Sequence, residues 1–202
     1  MADTLPLHTD VPATAHALAA RTLRPDVADL GARVNAAIKD TGMVLEQVAD
    51  LSGGQALFSH PRVHLSITAQ RRKMPRQAMA GALASPFAKA RIPDYDRLFA
   101  AHTGYVTLDV GHGAGPDEAI KDTLPLVLRL RVLKAALDAL IATTPVTLVH
   151  WVQSDMICAP SELEMWKDKD LPFSLVMHPL PLPARPDIDG AARLAMVAGC
   201  SE

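Results

Sequence analysis

From Val27 onward the apolar positions Val27, Leu30, Val34, Ile38, Val44, Val48 and Leu51 recur every three to four residues, while Asp26, Arg33 and Lys39 fall elsewhere on the helical wheel. This period predicts an amphipathic helix that Gly42 weakens or breaks and that Ser52, Gly53 and Gly54 stop. Beyond the stop the period changes to two. Val63, Leu65 and Ile67 alternate with His64, Ser66 and Thr68, as in a half-buried strand. Residues 78–89 are alanine-rich and read as helical, Pro86 and Pro93 break that stretch, and a short helix follows at 94–101. A second strand is predicted at 103–110, entered through His102 and left through the glycine-rich turn at 111–116. Behind it, Pro116, Asp117 and Glu118 have the chemistry of a helix start. Leu126, Leu130, Leu133, Leu137 and Leu140 then form one apolar stripe, with a kink or restart at Pro125.

Residues 146–152 are almost continuously apolar, which predicts a third strand covered on both faces. Ser161 and Glu164 are spaced as a capping box for a short helix, and 173–177 reads as a fourth strand. Pro179, Pro181, Pro183 and Pro186 suit neither a helix nor a central strand, so they predict an extended connector to a last segment at 191–198. Residues 1–24 show no sustained period and are expected to form a flexible arm. The expected organisation is thus an arm at 1–24, one domain at 25–178 and a proline-rich tail at 179–202. Two strand-helix-strand units make the three longer strands parallel. The predicted fold is α/β, with α+β as the alternative: a single mixed sheet of about four strands, at least three of them parallel, with helices packed on it.

Parallel strands joined by right-handed crossovers leave a sheet at one rim, where ligands of open sheets bind. That rim would collect Arg71, Arg72 and Lys73 after the first strand, Asp109 and His112 after the second, and Gln153, Asp155 and Cys158 after the third. Arg71, Arg72, Lys73 and Gln153 are the candidate binding residues. Asp109, His112, Asp155 and Cys158 are the candidate catalytic set, with Cys158 as nucleophile, His112 as base and an aspartate to orient it, or with the aspartates as paired carboxylates. No local signature accompanies them, and strand-end aspartates and incidental buried cysteines are common. The glycine-rich turn lacks the G-x-G-x-x-G spacing and a following lysine, and Asp117 and Glu118 would repel a phosphate, so no nucleotide or other cofactor is expected. His60 and His64 would lie about 13 Å apart on an extended chain, and His102 and His112 sit at opposite ends of one strand, so no metal site is expected either. His150 beside Trp151 reads as a hydrogen-bonded core or interface histidine.

Composition narrows the picture further. With 202 residues, 49% of them hydrophobic, and a net charge of -2, the chain can bury one core but carries no overall field that would draw nucleic acid or an anionic membrane. It shows no leader pattern and no apolar run of about 18 residues, so a soluble cytoplasmic protein is expected. Cys158 and Cys200 are too few and too far apart for a disulfide framework or a zinc pair. Charge is uneven: Arg71, Arg72, Lys73, Arg76, Lys89, Arg91 and Arg97 outweigh Asp94 and Asp96, whereas acids outweigh Lys167 and Lys169 between 155 and 170. A basic stretch facing an acidic one suits self-association or a protein partner, and the lack of interleaved aromatic residues speaks against nucleic acid. The function expected is a non-enzymatic binding or protein-interaction module. The alternative is a hydrolase-like small-molecule enzyme at the shared rim.

Three segments, Val63-His-Leu-Ser-Ile-Thr68, His102-Thr-Gly-Tyr-Val-Thr-Leu-Asp-Val110 and Val149-His-Trp151 with Pro160-Ser-Glu-Leu163 after it, resemble the bacterial family called domain of unknown function 4261. The resemblance spans roughly residues 63–177. It implies a strand led by histidine, a long helix and a strand ending in an aromatic residue, in that order, and it implies no activity, cofactor or catalytic residue. The chain departs from the family pattern at Arg71-Arg-Lys-Met-Pro-Arg76, where an apolar, proline-containing and tryptophan-rich stretch is expected. It also departs at Gly199-Cys-Ser-Glu202, where the family continues into a further strand with a glutamate, so a truncated end or a missing last strand is expected.

Overall fold

In the computed structural model, residues 12–21, 23–51, 54–112, 126–169, 171, 172, 175, 177–182 and 193–198 are described. The centre of the molecule is a strand that the hydrophobic period does not reveal. β1 (Ala13–Ala19) alternates alanine with Thr14, His16 and Leu18, and its alanines are fully buried. Residues 13–19 are therefore no arm. Alanine is a weak strand former, but its small side chain lets helices pack closely on the sheet, and tertiary context outweighs propensity here. α1 (Val27–Ala37) begins at Asp26, whose carboxylate accepts from the Asp29 amide at 3.1 Å, and packs with Leu30, Gly31 and Val34 buried.

The helix expected to run on through Val48 stops early. A short 3-10 turn at Lys39–Thr41 leads into Gly42, whose φ of 71° ends the helical run, as only glycine does without strain. After it comes a hairpin of β2 (Glu46–Leu51) and β3 (Gln55–His60), followed by β4 (Val63–Gln70). In β2, Gln47 faces Phe58 and Ala49 faces Leu57, so Val48 is an extra residue bulged from the ladder.

After β4, the 3-10 turn Arg76–Met79 and α2 (Ala80–Ala84), α3 (Pro86–Arg91) and α4 (Tyr95–Ala101) divide the alanine-rich stretch into short pieces at the prolines. β5 (Gly104–His112) reaches two residues past its predicted end. The predicted helix start at Pro116 lies outside the described residues, and α5 (Leu126–Thr143) carries the leucine stripe, with Leu130, Leu133, Leu137 and Leu140 buried. β6 (Leu148–Trp151) is buried throughout and is followed by β7 (Met156–Cys158) and α6 (Pro160–Met165). The helix α6 is capped two residues earlier than the Ser161–Glu164 spacing suggests: the Glu162 carboxylate accepts from the Ala159 amide at 2.8 Å, and Pro160 opens the helix. Of the predicted strand at 173–177, residues 173, 174 and 176 lie outside the described residues. The proline run is partly strand, since β8 (Met177–Leu182) pairs antiparallel with β9 (Arg193–Ala198). A two-stranded ribbon has only edges, which is the sheet setting that accepts Pro179 and Pro181.

The main sheet corrects the predicted fold class. Among the described residues it has seven strands in the order β2-β3-β4-β5-β1-β6-β7, and every neighbouring pair is antiparallel. The protein is α+β, not an α/β mixed sheet of about four strands with three parallel. A helical connection between two strands fixes neither their relative direction nor their adjacency. β5 and β6 do run the same way across α5, yet β1 lies between them and opposes both. β4 and β5, joined through α2 to α4, are antiparallel neighbours. The path β1-α1-β4-β5-α5-β6 has the order and directions of a ferredoxin-like split β-α-β unit, widened by the β2–β3 hairpin on one side and by β7 on the other.

The two faces of the sheet differ. Ala13, Ala15 and Ala17 of β1, Leu65 and Ile67 of β4, Leu108 and Val110 of β5 and Trp151 of β6 meet the buried stripes of α1 and α5 in one apolar core. Each large aliphatic side chain hidden there contributes about 1.5–3 kcal/mol. The other face is apolar only at one end, where Leu18, Tyr105, Leu148 and Ile157 pack under Met79, Leu83, Tyr95 and Phe99 from the short helical segments. The remainder of that face is polar.

Candidate functional site

The alternating directions send β3, β5 and β6 out at one rim and β1, β2, β4 and β7 out at the other. β5 and β6 leave at one rim, where Thr14 at the start of β1 ties their residues together. Its hydroxyl donates to Asp109 Oδ1 at 2.6 Å, and its amide donates to Gln153 Oε1 at 3.1 Å. Gln153 Nε2 in turn donates to the Pro12 carbonyl at 3.0 Å.

Two residues along β1, on the same polar face, His16 Nδ1 lies 3.1 Å from the Thr107 hydroxyl, and the His16 ring stacks on His150 with centroids 5.6 Å apart. His150 Nε2 is 2.8 Å from Asp155 Oδ1. A carboxylate can only accept, so that nitrogen carries a proton, while Nδ1 of the same ring is buried and has no hydrogen-bond partner among the described residues. Burial, and then the neighbouring His150, lowers the His16 pKa to about 4, so His16 is a neutral imidazole at neutral pH. Asp155 holds a left-handed backbone with φ of 44°, and its carboxylate packs where a Cβ on Gly81 would sit.

The predicted catalytic set does not converge. Asp109 and Asp155 belong to the polar face. His112 follows Leu108 and Val110 on the opposite, helix-covered face, where its Nε2 lies 3.5 Å from Nη1 of the buried Arg129 of α5. Cys158 is also on the core side, fully buried, and burial pushes its thiol up to about 12, the reverse of what a nucleophile needs. The ion pair of Arg91 and Glu162 stands beside it without lowering the thiol below its ordinary range.

Arg71, Arg72 and Lys73 lie at the other rim, because β4 opposes β5. Lys73 Nζ donates to the Ala100 carbonyl at 2.6 Å, and Arg72 is exposed. His102 is an anchor there: its Nε2 accepts from the Met74 amide at 2.7 Å, and its Nδ1 bonds the Phe99 carbonyl. His60 and His64 are not far apart as on an extended chain, because Pro61 and Arg62 turn a hairpin that sets His60 across from Val63 and His64 across from Ser59. They point to opposite faces, and among the described residues no cluster of three or more metal-ligating side chains exists.

β1 and β4 both leave the sheet at this second rim and deliver Arg24 and Arg71 to it, while the β2–β3 hairpin brings Gln47 and Gln55 alongside. Between them and the start of α1 is an open cleft of about 560 Å³. Its walls include the buried Leu23, Ala56 and Ile67, and Asp26 stands at its α1 side. Among the described residues neither arginine has an ion-pair partner, and no hydrogen bond engages either glutamine side chain. Sequence reading reaches only Arg71 of this group. Arg24 depends on β1, and Gln47 and Gln55 depend on the β2–β3 hairpin, whose signal is Gly53-Gly54 between two alternating stretches.

Comparison of the chain with protein-family models, with curated proteins and with solved structures finds no match. Among the described residues no helix is long and apolar enough to cross a membrane.

Proposed function

We propose that this chain is a non-enzymatic binding module whose recognition site is the cleft between the start of α1 and the β2–β3 hairpin. One contrast carries the reading. The members of the polar pairs Thr14–Asp109, His16–Thr107 and His150–Asp155 of the open face are spent on one another, whereas Arg24, Arg71, Gln47 and Gln55 stand around the apolar floor of the cleft with no ion-pair or side-chain hydrogen-bond partner among the described residues. Sites that bind small molecules combine such a concave apolar surface with a few placed polar groups. Arg91 of the basic stretch pairs with Glu162 of the acidic one, and Arg76 and Arg97 pair with Asp96 and Asp94 inside the basic stretch itself, which moves the proposal from a charged surface to the cleft. A small-molecule enzyme would need Asp109, His112, Asp155 and Cys158 within reach of one substrate, and the sheet separates them two and two. The kinship with domain of unknown function 4261 is likewise a proposal, resting on β4, β5 and β6.

The test is a ligand-observed NMR screen of a chemically diverse fragment mixture against the wild type and against Ala69→Phe, which fills the cleft. Fragments that bind the wild type are expected to be lost on plugging and to remain chemically unchanged. Hits that ignore the plug would remove the cleft from consideration, and conversion of a fragment would make the protein an enzyme.

A further inference from the structure

The geometry points to a small organic monoanion as the ligand of this cleft: a molecule with one carboxylate head and an apolar body. The inference rests on the reading of the cleft as the recognition site and names what it recognises. Size comes first. A volume of about 560 Å³ falls within the range of roughly 300–1,000 Å³ typical of small-molecule sites and exceeds what an inorganic ion fills.

Charge comes second. Arg24 and Arg71 bring two positive charges, and Asp26 brings one negative charge, so the lining favours a single negative charge on the ligand. The Asp26 carboxylate already accepts from the Asp29 amide at the start of α1, where it would repel a phosphate seated on that helix end. The cleft is therefore unsuited to nucleotides and other polyphosphates, although two arginines alone would suggest them. A guanidinium presents a planar fork that matches a carboxylate in two parallel hydrogen bonds.

Shape comes third. Leu23, Ala56 and Ile67 form an apolar floor below the charged rim, with Ala69 beside them. A carboxylate held by the arginines would lay its hydrocarbon part on that floor, and the amides of Gln47 and Gln55 would border the head group. Arg24 and Arg71 are both exposed, so their replacement leaves the core untouched.

The experiment is calorimetric titration of the full chain with hexanoate, hexanamide and pyrophosphate, in the wild type and in Arg24→Gln and Arg71→Gln, with circular dichroism to confirm the fold. Hexanoate is expected to bind at millimolar concentration or below, hexanamide at least about tenfold more weakly, and pyrophosphate not at all. Each arginine variant should weaken hexanoate about tenfold or more and leave hexanamide unchanged. Equal binding of hexanoate and hexanamide, or hexanoate binding that survives both substitutions, would overturn the monoanion while leaving the cleft as a recognition site. Preferred binding of pyrophosphate would overturn it in favour of a polyanion. Absence of hexanoate binding at millimolar concentration would also overturn it, and the fragment screen then decides separately whether the cleft binds anything.

Discussion

At the scale of single residues, His16 couples the polar face to pH. Its pKa is lowered from 6.5 to about 4 in the folded chain, so in that interval the unfolded chain binds a proton that the folded one refuses. The stability this neutral ring permits is complete above pH 6.5 and is lost as the pH falls towards 4. The shift corresponds to an upper figure of about 3 kcal/mol. Urea unfolding at pH 7 and pH 4.5 should show the wild type losing more stability on acidification than His16→Gln does; parallel losses would mean that other groups dominate. Cys158 yields a second expectation at this scale. With its thiol buried and pushed up to about 12, iodoacetamide should leave it unmodified in the native protein and alkylate it in denaturant, as read by peptide mass spectrometry. Gly31 is a third. A Cβ there would run into the ring of Phe58, so Gly31→Ala should cost about 1–3 kcal/mol in thermal or chemical unfolding despite the better helix propensity of alanine. Gly31→Ala combined with Phe58→Leu should recover most of that loss.

At the scale of elements, what the sequence reveals follows from how strong each local signal is. β4 and the leucine stripe of α5 are legible because Val63, Leu65 and Ile67 keep a strict period of two, and Leu130, Leu133 and Leu137 keep the helical period. β1 is hidden because its core face is written in alanine, which marks neither strand nor helix by itself. β2 is concealed for the opposite reason. Val44 and Val48 continue the helical spacing of α1 by coincidence, yet both are exposed, and Gly42 has already ended the helix. The site shares this fate. Arg71 follows a legible strand and is found, whereas Arg24 follows the alanine-written β1, and Gln47 and Gln55 depend on a hairpin that the spurious helical period obscures. The expectation that the three strand exits gather at one rim fails, because β4 opposes β5 and leaves Arg71, Arg72 and Lys73 at the rim opposite to Asp109, Gln153 and Asp155.

At the scale of the whole molecule, the two outer strands of the sheet are finished differently. Beside β7, Glu162 serves two elements at once: one carboxylate oxygen caps α6 at the Ala159 amide, and the other pairs with Arg91 of α3 at 2.9 Å. Because the pair is largely buried and joins helices from both faces of the sheet, Glu162→Ala should cost about 1–3 kcal/mol, and Glu162→Gln, which can still cap, distinctly less; equal losses in denaturant titrations would assign the whole effect to the ion pair. At the far side stands β2 with its bulged Val48. A neighbouring molecule laid along that strand would find donors and acceptors falling out of step after a few bonds, so the chain can keep a valine in water without offering a template for fibre growth. Deleting Val48 would straighten the strand and restore the rhythm. The resulting protein should scatter light increasingly with concentration under conditions where its parent stays clear.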